Sequence, residues 1–241
     1  MEICILETDR PEDPLRSDYG TYAEMFEQWL RPVLPEASFT RLHICGGDDF
    51  PRDVAEYDAY LVTGSRAGVY EDHPWIAPLI AFLQRLRTAR KPLAGVCFGH
   101  QVMAQAFGGA ARKSEGGWVL GRLKQELTEE GEWLFGEGPL WQLSIHQDQV
   151  MELPPTARRL VSDRLSPNGA LLYTDFPAIS VQFHPEFAVP FLGALIGEFS
   201  EARLPAAQAE AARAGLEGPL DGDRVARGVA EVLRARVSGM V

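Results

Sequence analysis

The sequence predicts an α/β protein with a mostly parallel central sheet, helices on both faces, an antiparallel extension and a helical C-terminal tail. Three observations support this fold class. Short apolar runs alternate with helical stripes over residues 1–110, which is typical of parallel strands covered by helices. Residues 118–183 carry short β-like runs between turn residues, as in antiparallel hairpins. An alanine-rich run and an apolar stripe follow residue 200.

The first 110 residues supply the predicted parallel part. The expected strands cover residues 3–6, 38–44, 60–63 and 92–96. A helix over Tyr22–Leu30 has one apolar face and stops before Pro32. The strongest helical stripe runs from Ile76 to Leu86 and ends in a basic turn, which suits the negative end of a helix dipole. The last of these strands runs directly into a helix that starts near Gly99.

The second half supplies the predicted extension and tail. The β-like runs, expected as hairpins on the same sheet, cover residues 118–127, 140–145, 150–153, 159–162, 171–174 and 179–183. A helix resumes near Val189, and a stripe from Val225 to Leu233 must be covered, which we expect to occur within the same domain. The expected organisation is therefore one domain over residues 1–200 with a helical extension, residues 201–241, packed on it.

Composition excludes several classes of protein. The 241 residues include 34 acidic and 23 basic side chains, and the basic ones are scattered, so we expect no nucleic-acid partner. No apolar run approaches the roughly 20 residues that cross a bilayer, and the chain does not start like a secretion signal. We therefore expect no membrane association and a cytoplasmic location. Three cysteines are too few and too scattered for a disulfide framework.

Cys97 stands between Gly95 and Gly99, after an apolar strand and before a helix. This pattern is typical of a nucleophile on a sharp strand-to-helix turn. A helix N-terminus stabilises an anion by about 0.3–1 kcal/mol, which is too little to ionise a thiol with a pKa of about 8.5. A nucleophilic Cys97 therefore requires an imidazole partner. The alternative for Cys97 is a small apolar residue buried at a βα turn. For Cys4, inside an apolar strand, and Cys45, before a glycine pair, we prefer a structural role.

His184 and Glu186 provide such a partner at the end of an apolar strand. Residues two apart on an extended chain point to the same side, so the imidazole and the carboxylate project together. Pro185 between them marks the end of the strand, where catalytic loops gather. A carboxylate beside a histidine fixes its tautomer and stabilises the imidazolium. Cys97, His184 and Glu186 thus supply a nucleophile, a base and an orienting group.

His146 and Asp148 form a second histidine–acid pair after another strand. The two pairs together could bind a single metal ion. That interpretation leaves the glycine-flanked Cys97 unexplained, and no helical metal-ligand spacing occurs. We therefore expect no metal and no cofactor. We interpret His43 and His73 as structural residues.

Residues 95–101 read GVCFGHQ and residues 182–186 read QFHPE. These motifs resemble the class I, or triad, glutamine amidotransferases. The TGS run at residues 63–65 and the HQDQV run at residues 146–150 look most like the GMP-synthase-type glutaminase domain and its stand-alone relatives. The resemblance covers roughly residues 1–200. The S-G-G-x-D-S phosphate loop of the GMP synthase ATP-pyrophosphatase domain is absent from the sequence, which excludes GMP synthesis by this chain alone.

The resemblance implies catalytic roles for five residues. Cys97, His184 and Glu186 would form the catalytic triad. The backbone N–H groups of Ser65 and Phe98 would form the oxyanion hole, in agreement with the need for two donors that converge on one oxygen.

It also implies contacts to the substrate. Gln101 would help to hold the glutamine, and Gly64 would allow close approach of the backbone. His146 and its neighbours, at the edge of the expected pocket, would contact the α-amino and α-carboxylate groups of the γ-glutamyl moiety. Residues 8–19 and 66–72 would flank the pocket and set specificity, with Arg66 either a carboxylate contact or a solvated side chain.

The predicted activity is a cysteine-dependent hydrolysis of the γ-amide of glutamine or a γ-glutamyl compound through a γ-glutamyl thioester. The products are glutamate and ammonia or an amine, and the partner is a small-molecule substrate. Three alternatives stay open. The chain could be an ammonia-supplying glutaminase subunit of a separate synthetase, it could transfer the acyl group to a small acceptor, or it could be a non-catalytic binding or scaffold module. Oligomeric state and substrate identity are not predicted.

Overall fold

A computed structural model of the chain describes residues 1–200 and 204–234, which contain eleven strands and eight helices. The strands are β1 (Glu2–Glu7), β2 (Ser38–His43), β3 (Ala59–Val62), β4 (Leu93–Val96), β5 (Ala110–Lys113), β6 (Val119–Leu127), β7 (Leu140–His146), β8 (Asp148–Glu152), β9 (Ala157–Ser162), β10 (Ala170–Tyr173) and β11 (Ala178–Val181). The helices are α1 (Leu15–Tyr19), α2 (Tyr22–Leu30), α3 (Ile76–Thr88), α4 (Phe98–Ala106), α5 (Glu129–Phe135), α6 (Val189–Ser200), α7 (Ala206–Ala214) and α8 (Gly222–Arg234). Within these described ranges, every helix is too short or too polar to cross a bilayer.

Nine of the strands form one sheet in the order β2-β1-β3-β4-β11-β10-β9-β6-β7. The first five strands of that order run parallel to one another. The remaining four are joined by antiparallel pairings, and β10 is also antiparallel to β11. The predicted fold class, a mostly parallel sheet with an antiparallel extension, is therefore confirmed.

Two strands of the extension differ from the sequence-based prediction. Strand β11, expected within the antiparallel hairpins, pairs parallel with β4 as well as antiparallel with β10, so it completes the parallel part. Strand β8 pairs with β5 in a separate two-stranded sheet instead of joining the main one. Neither β5 nor α5 was predicted from the sequence. Strand β5 has only four residues, two of them alanines, and therefore lacks the β-branched and aromatic residues that mark a strand.

Alternate residues of the central strands face two different cores. In β1, Ile3 and Ile5 pack in a core that includes residues of α2 and α8, whereas Cys4 and Leu6 pack in a core that includes residues of α3 and α4. All four side chains are fully buried. Complete burial of one such apolar side chain contributes roughly 1.5–3 kcal/mol. The sheet therefore carries helices on both faces, as its alternating pattern requires.

Helix α8 covers one face of the central sheet. The residues of its apolar stripe are at most 2 % exposed and share a core with β4 and β11: Val225, Val229, Val232 and Leu233. The Trp29 indole donates to the carbonyl of Gly222 at 3.0 Å, which joins the start of α8 to α2. A Cβ added to Gly222 would lie 2.7 Å from the Pro185 carbonyl oxygen, so α8 begins directly against that loop. Residues 201–203 and 235–241 of the predicted extension lie outside the described residues.

Candidate active site

Cys97 forms the turn between β4 and α4, with φ 54° and ψ −104°. A positive φ at a residue with a side chain costs about 1–3 kcal/mol and persists only when the surroundings enforce it. Here Gly95 and Gly99 allow the neighbouring backbone to pack closely around Cys97. A Cβ on Gly99 would lie 2.3 Å from the Val62 carbonyl oxygen, and one on Gly95 would lie 2.7 Å from the backbone of Gly99. The glycines therefore let α4 pack close enough to β3 and β4 to hold Cys97 in this strained turn.

His184 follows β11 and is buried beside Cys97. Its backbone N–H donates to the Leu143 carbonyl at 2.8 Å, so β7 of the antiparallel extension holds the histidine in place. Its Nδ1 donates to Oε1 of Glu186 at 2.7 Å, and the two side chains are 5 % and 1 % exposed. The imidazole also lies close enough to Cys97 for the two groups to interact electrostatically. The structure thus brings the three predicted triad residues into one connected arrangement.

The electrostatics of this arrangement favour a charged imidazole. Burial lowers the pKa of His184, but the negative charges of Glu186 and Cys97 outweigh burial and raise it to about 10. Phe187 stacks flat on the ring, with centroids 4.0 Å apart and planes 5° apart, which fixes the orientation of the imidazole. The imidazole beside Cys97 therefore has both a charge partner and a fixed orientation.

The loop after β3 lies over Cys97. A Cβ on Gly64 would lie 3.1 Å from Cε1 of His184 and 3.6 Å from Cβ of Cys97, so the glycine leaves room above the sulfur. Within the described part of the chain, the backbone N–H groups of Ser65 and Phe98 donate to no protein acceptor. Two backbone donors beside the thiol are therefore left for the oxygen atom of a ligand.

Gln101 and His146 line the cavity above Cys97, but their nitrogens are engaged by the protein. Nε2 of Gln101 donates to the Asp148 carbonyl at 2.9 Å and to Oε1 of Gln182 at 3.2 Å. Nδ1 of His146 donates to the same carbonyl at 3.0 Å, which leaves Nε2 to accept from the Ser166 hydroxyl at 3.4 Å. Burial lowers the pKa of His146 to about 3, so the ring is neutral at neutral pH. Both side chains therefore fix the backbone at Asp148.

The loop of residues 66–72 is anchored by a residue that sequence reasoning missed. Asp9 accepts from the backbone N–H of Arg66 and from its Nε, both at 2.9 Å. Arg66 Nη1 also donates to Glu12 at 2.6 Å. Arg66 is therefore neither a free contact for a substrate carboxylate nor a solvated side chain, because its charge is already paired. An aspartate in a polar loop gives no sequence signal for such a long-range contact.

The cavity above Cys97 has a volume of about 740 Å³. Residues 8–9, 66–68 and 70–71 from the two loops predicted to flank it contribute to its wall, together with residues 145–148. The Tyr70 ring and the Asp148 carboxylate lie close together on this wall, 2.7 Å and 3.0 Å from the position that a Cβ on Gly68 would take. Burial raises the pKa of Asp148. Tyr70 was missed from the sequence because a single exposed aromatic residue in a loop has no periodicity to reveal it.

The other cysteines and histidines form no second reactive centre. Burial raises the pKa of Cys4 to about 12 and that of Cys45 to about 11, so both remain protonated at neutral pH. His73 lines the cavity, where its Nε2 pairs with the Glu71 carboxylate at 3.0 Å. Among the residues that the structure describes, no group of three or more His, Cys, Asp or Glu side chains is arranged to bind a metal ion.

Known proteins resemble this chain along most of its length. A glutamine amidotransferase-like protein of Schizosaccharomyces pombe is 28 % identical over 244 residues, which cover 96 % of this chain and 98 % of that protein. Gamma-glutamyl peptidase 3 of Arabidopsis thaliana is 27 % identical over 180 residues, 72 % of either chain. A crystal structure of a glutamine amidotransferase from Thermotoga maritima shares the fold, with a TM-score of 0.72 over 96 % of both chains at 20 % identity. The family model of the class-I glutamine amidotransferases matches residues 48–193. The chain therefore belongs to the class-I glutamine amidotransferase family, as its motifs predicted.

Proposed function

We propose that this protein hydrolyses the γ-amide of glutamine or of a γ-glutamyl compound through a γ-glutamyl thioester on Cys97. The observation that carries this proposal is the buried His184 imidazole, which interacts electrostatically with Cys97 and donates to Glu186 at 2.7 Å. A thiol, a base and an orienting carboxylate in this order are sufficient for nucleophilic acyl transfer. The names of the relatives, a glutamine amidotransferase-like protein and a γ-glutamyl peptidase, are consistent with it.

In the first half of the reaction, the Cys97 thiolate attacks the γ-carbonyl carbon. The carbonyl oxygen gains the negative charge and accepts hydrogen bonds from the backbone N–H groups of Ser65 and Phe98. Loss of one such donor typically costs about 100- to 1000-fold in turnover. The His184 imidazolium then gives its proton to the departing nitrogen, the C–N bond breaks, and a γ-glutamyl thioester remains. Glu186 keeps the imidazole in the required tautomer throughout.

In the second half, a water molecule attacks the thioester carbon while His184 takes its proton. The C–S bond breaks, glutamate leaves, and the thiolate and the imidazolium are restored. Ammonia leaves when the substrate is glutamine, and an amine leaves when it is another γ-glutamyl compound. No cofactor enters this scheme, because each proton and electron pair is supplied by the triad, the substrate and water.

The polar wall of the cavity suits the amino-acid end of such a substrate. Asp148 and Glu71 supply negative charge for an α-amino group, and Lys113 supplies positive charge for an α-carboxylate. Gln101 and His146 contribute by holding the backbone at Asp148. We propose that these residues bind the γ-glutamyl moiety while Gly64 leaves space for its side chain above Cys97.

We propose further that residues 1–200 and the extension, residues 201–241, work as one domain. Helix α8 supplies one wall of the core behind β4 and β11, and its first residue packs against the carbonyl of Pro185, between His184 and Glu186. The support of the triad therefore includes the C-terminal part of the chain.

The test is a measurement of glutamate release from glutamine and from a series of γ-glutamyl amides by the purified full-length chain. Cys97→Ala is expected to reduce kcat/KM by about 10⁴-fold or more. Its matched control, Cys4→Ala, removes a thiol of raised pKa in β1 and is expected to keep the activity. Mass spectrometry of the quenched reaction should find a glutamyl adduct on Cys97.

The alternatives predict different results. A non-catalytic module would release no glutamate from any of these compounds and would form no adduct. A glutaminase subunit of a separate synthetase would cleave glutamine alone, and an acyltransferase would yield γ-glutamyl hydroxamate in preference to glutamate when hydroxylamine is added. Glutamate release that Cys97→Ala does not reduce would refute the proposal.

A further inference from the structure

The cavity above Cys97 has a second, apolar half. Its apolar and aromatic lining comes from the start of α2, the start of β6, the end of β7, and α6 with the loop before it: Tyr22, Trp118, Ile145, Phe187, Leu195 and Phe199. All of these side chains belong to, or pack against, one hydrophobic cluster beneath the cavity. The opposite half is lined by the polar loops described above. Since the whole cavity measures about 740 Å³, within the range of about 300–1,000 Å³ that holds drug-sized ligands, it is larger than a single glutamine requires.

The apolar half is built from contacts between distant segments of the chain. Tyr22 stacks on Phe187 with ring centroids 6.1 Å apart, and Trp118 meets Phe199 edge to face at 6.2 Å. The backbone carbonyl of Trp118 accepts from Nε2 of Gln208 at 2.8 Å, so α7 holds the residue just before β6 in place. A preformed apolar wall of this kind binds an apolar group without first having to become ordered.

The position of His184 determines which part of the substrate lies next to this apolar wall. In the proposed reaction the imidazolium protonates the departing nitrogen, so that nitrogen lies next to the His184 ring. Phe187 stacks on the same ring at 4.0 Å, and it is itself part of the apolar half. A substituent on the departing nitrogen therefore lies beside the apolar wall, whereas the amino-acid end of the substrate lies in the polar half.

We propose that the apolar half of the cavity is a subsite for the amine portion of the substrate and selects γ-glutamyl amides whose amine carries an apolar or aromatic group. This inference rests on the proposed function and specifies its substrate class. Trp118 and Phe199 are the specificity-determining residues, since they lie on the apolar wall, whereas Phe187 also contacts the catalytic ring. Free ammonia, as released from glutamine, leaves this half of the cavity unused.

The experiment compares kcat/KM of the full-length chain for glutamine, γ-glutamylmethylamide and γ-glutamylbenzylamide. A hydrophobic pocket discriminates by roughly 10- to 200-fold for even one methylene. We therefore expect the benzylamide to exceed the methylamide by at least about 10-fold. Trp118→Ala should reduce this ratio by at least about 5-fold, while the matched control Trp133→Ala, at a tryptophan that is 75 % exposed, should leave the ratio unchanged.

A second measurement needs no variant, in case Trp118→Ala does not fold. Benzylamine should inhibit the wild-type reaction at a concentration at least about 10-fold lower than methylamine does, because it occupies the same subsite as a product. Equal kcat/KM values for the two amides together with equal inhibition by the two amines would overturn the subsite and leave the proposed hydrolysis standing. If none of the three amides is cleaved and Cys97 forms no adduct, the proposed function fails and the inference fails with it.

Discussion

The close contact between α4 and β3 gives a sharp prediction for Gly99→Ala. The added Cβ would lie 2.3 Å from the carbonyl oxygen of Val62, and this oxygen belongs to the backbone of a buried central strand. Ordinary contacts begin at about 3.4 Å. Since neither the strand nor the oxygen can move aside cheaply, the first turn of α4 has to shift by about 1 Å.

Such a shift has two consequences of predictable size. Overpacking of a well-packed interior typically costs about 1–3 kcal/mol. For a chain of this size, each kcal/mol lowers Tm by about 2–4 °C, so Tm should fall by roughly 2–12 °C. The shift also displaces Cys97 and Phe98 relative to His184. A misplacement of about 1 Å at a catalytic group can cost about 100-fold in rate.

The assay combines thermal unfolding, followed by circular dichroism, with γ-glutamyl amide hydrolysis. Gly116→Ala is the matched control, because the nearest atom to its added Cβ is the Ser114 hydroxyl at 3.4 Å on an exposed loop. We expect the control to keep the wild-type Tm and kcat/KM. A Gly99→Ala protein with the Tm and activity of the wild type would show that the close approach of α4 to β3 is not what positions Cys97.

Three further predictions concern the triad, the C-terminal helix and the flanking loop. The pKa of His184 is raised from 6.5 to about 10, so its charged form contributes stability fully below pH 6.5, and this stability is lost as the pH rises through about 10. Glu186→Gln should flatten this decline in the free energy of unfolding, measured with urea between pH 6 and 10. An unchanged decline would contradict the role of Glu186 in raising the pKa of His184. Val229→Asp places an unpaired charge at a position that is 2 % exposed and should reduce the free energy of unfolding by at least about 3 kcal/mol, whereas the same change at exposed Arg227 should cost under 1 kcal/mol. Asp9→Ala removes the acceptor of the backbone amide next to Ser65 and should lower kcat/KM by roughly 10-fold; wild-type turnover in this variant would exclude the anchoring role.

Local sequence patterns predicted the parts of the site that local geometry determines. Glycines around Cys97 predicted the strand-to-helix turn, and the spacing of His184 and Glu186 predicted their projection to one side. The meeting of these two segments depends on β4 and β11 being neighbours, with Val96 opposite Val181. No periodicity in either segment specifies that pairing, and β11 was accordingly assigned to the hairpins alone.

Contacts between distant loops could not be predicted from the sequence for a related reason. The charge pair of Asp9 and Arg66 joins two loops 57 residues apart. The apolar half of the cavity combines side chains of α2, β7 and α6 that each fit an ordinary core position. Hydrophobic contact is non-directional, so a sequence shows that such residues will be buried without showing which of them will face a cavity.

The packing of α8 against β4, β11 and the Pro185 loop has a consequence for how the protein is made. A ribosome delivers the His184 segment well before it delivers α8, and until then the part of the sheet at β4 and β11 that α8 covers is open to water. An emerging polypeptide therefore holds Cys97, His184 and Glu186 while the helix that packs behind β4 and β11 is still being translated. On the proposed mechanism, full support of these residues requires that α8, the last helix among the described residues, has left the exit tunnel and docked.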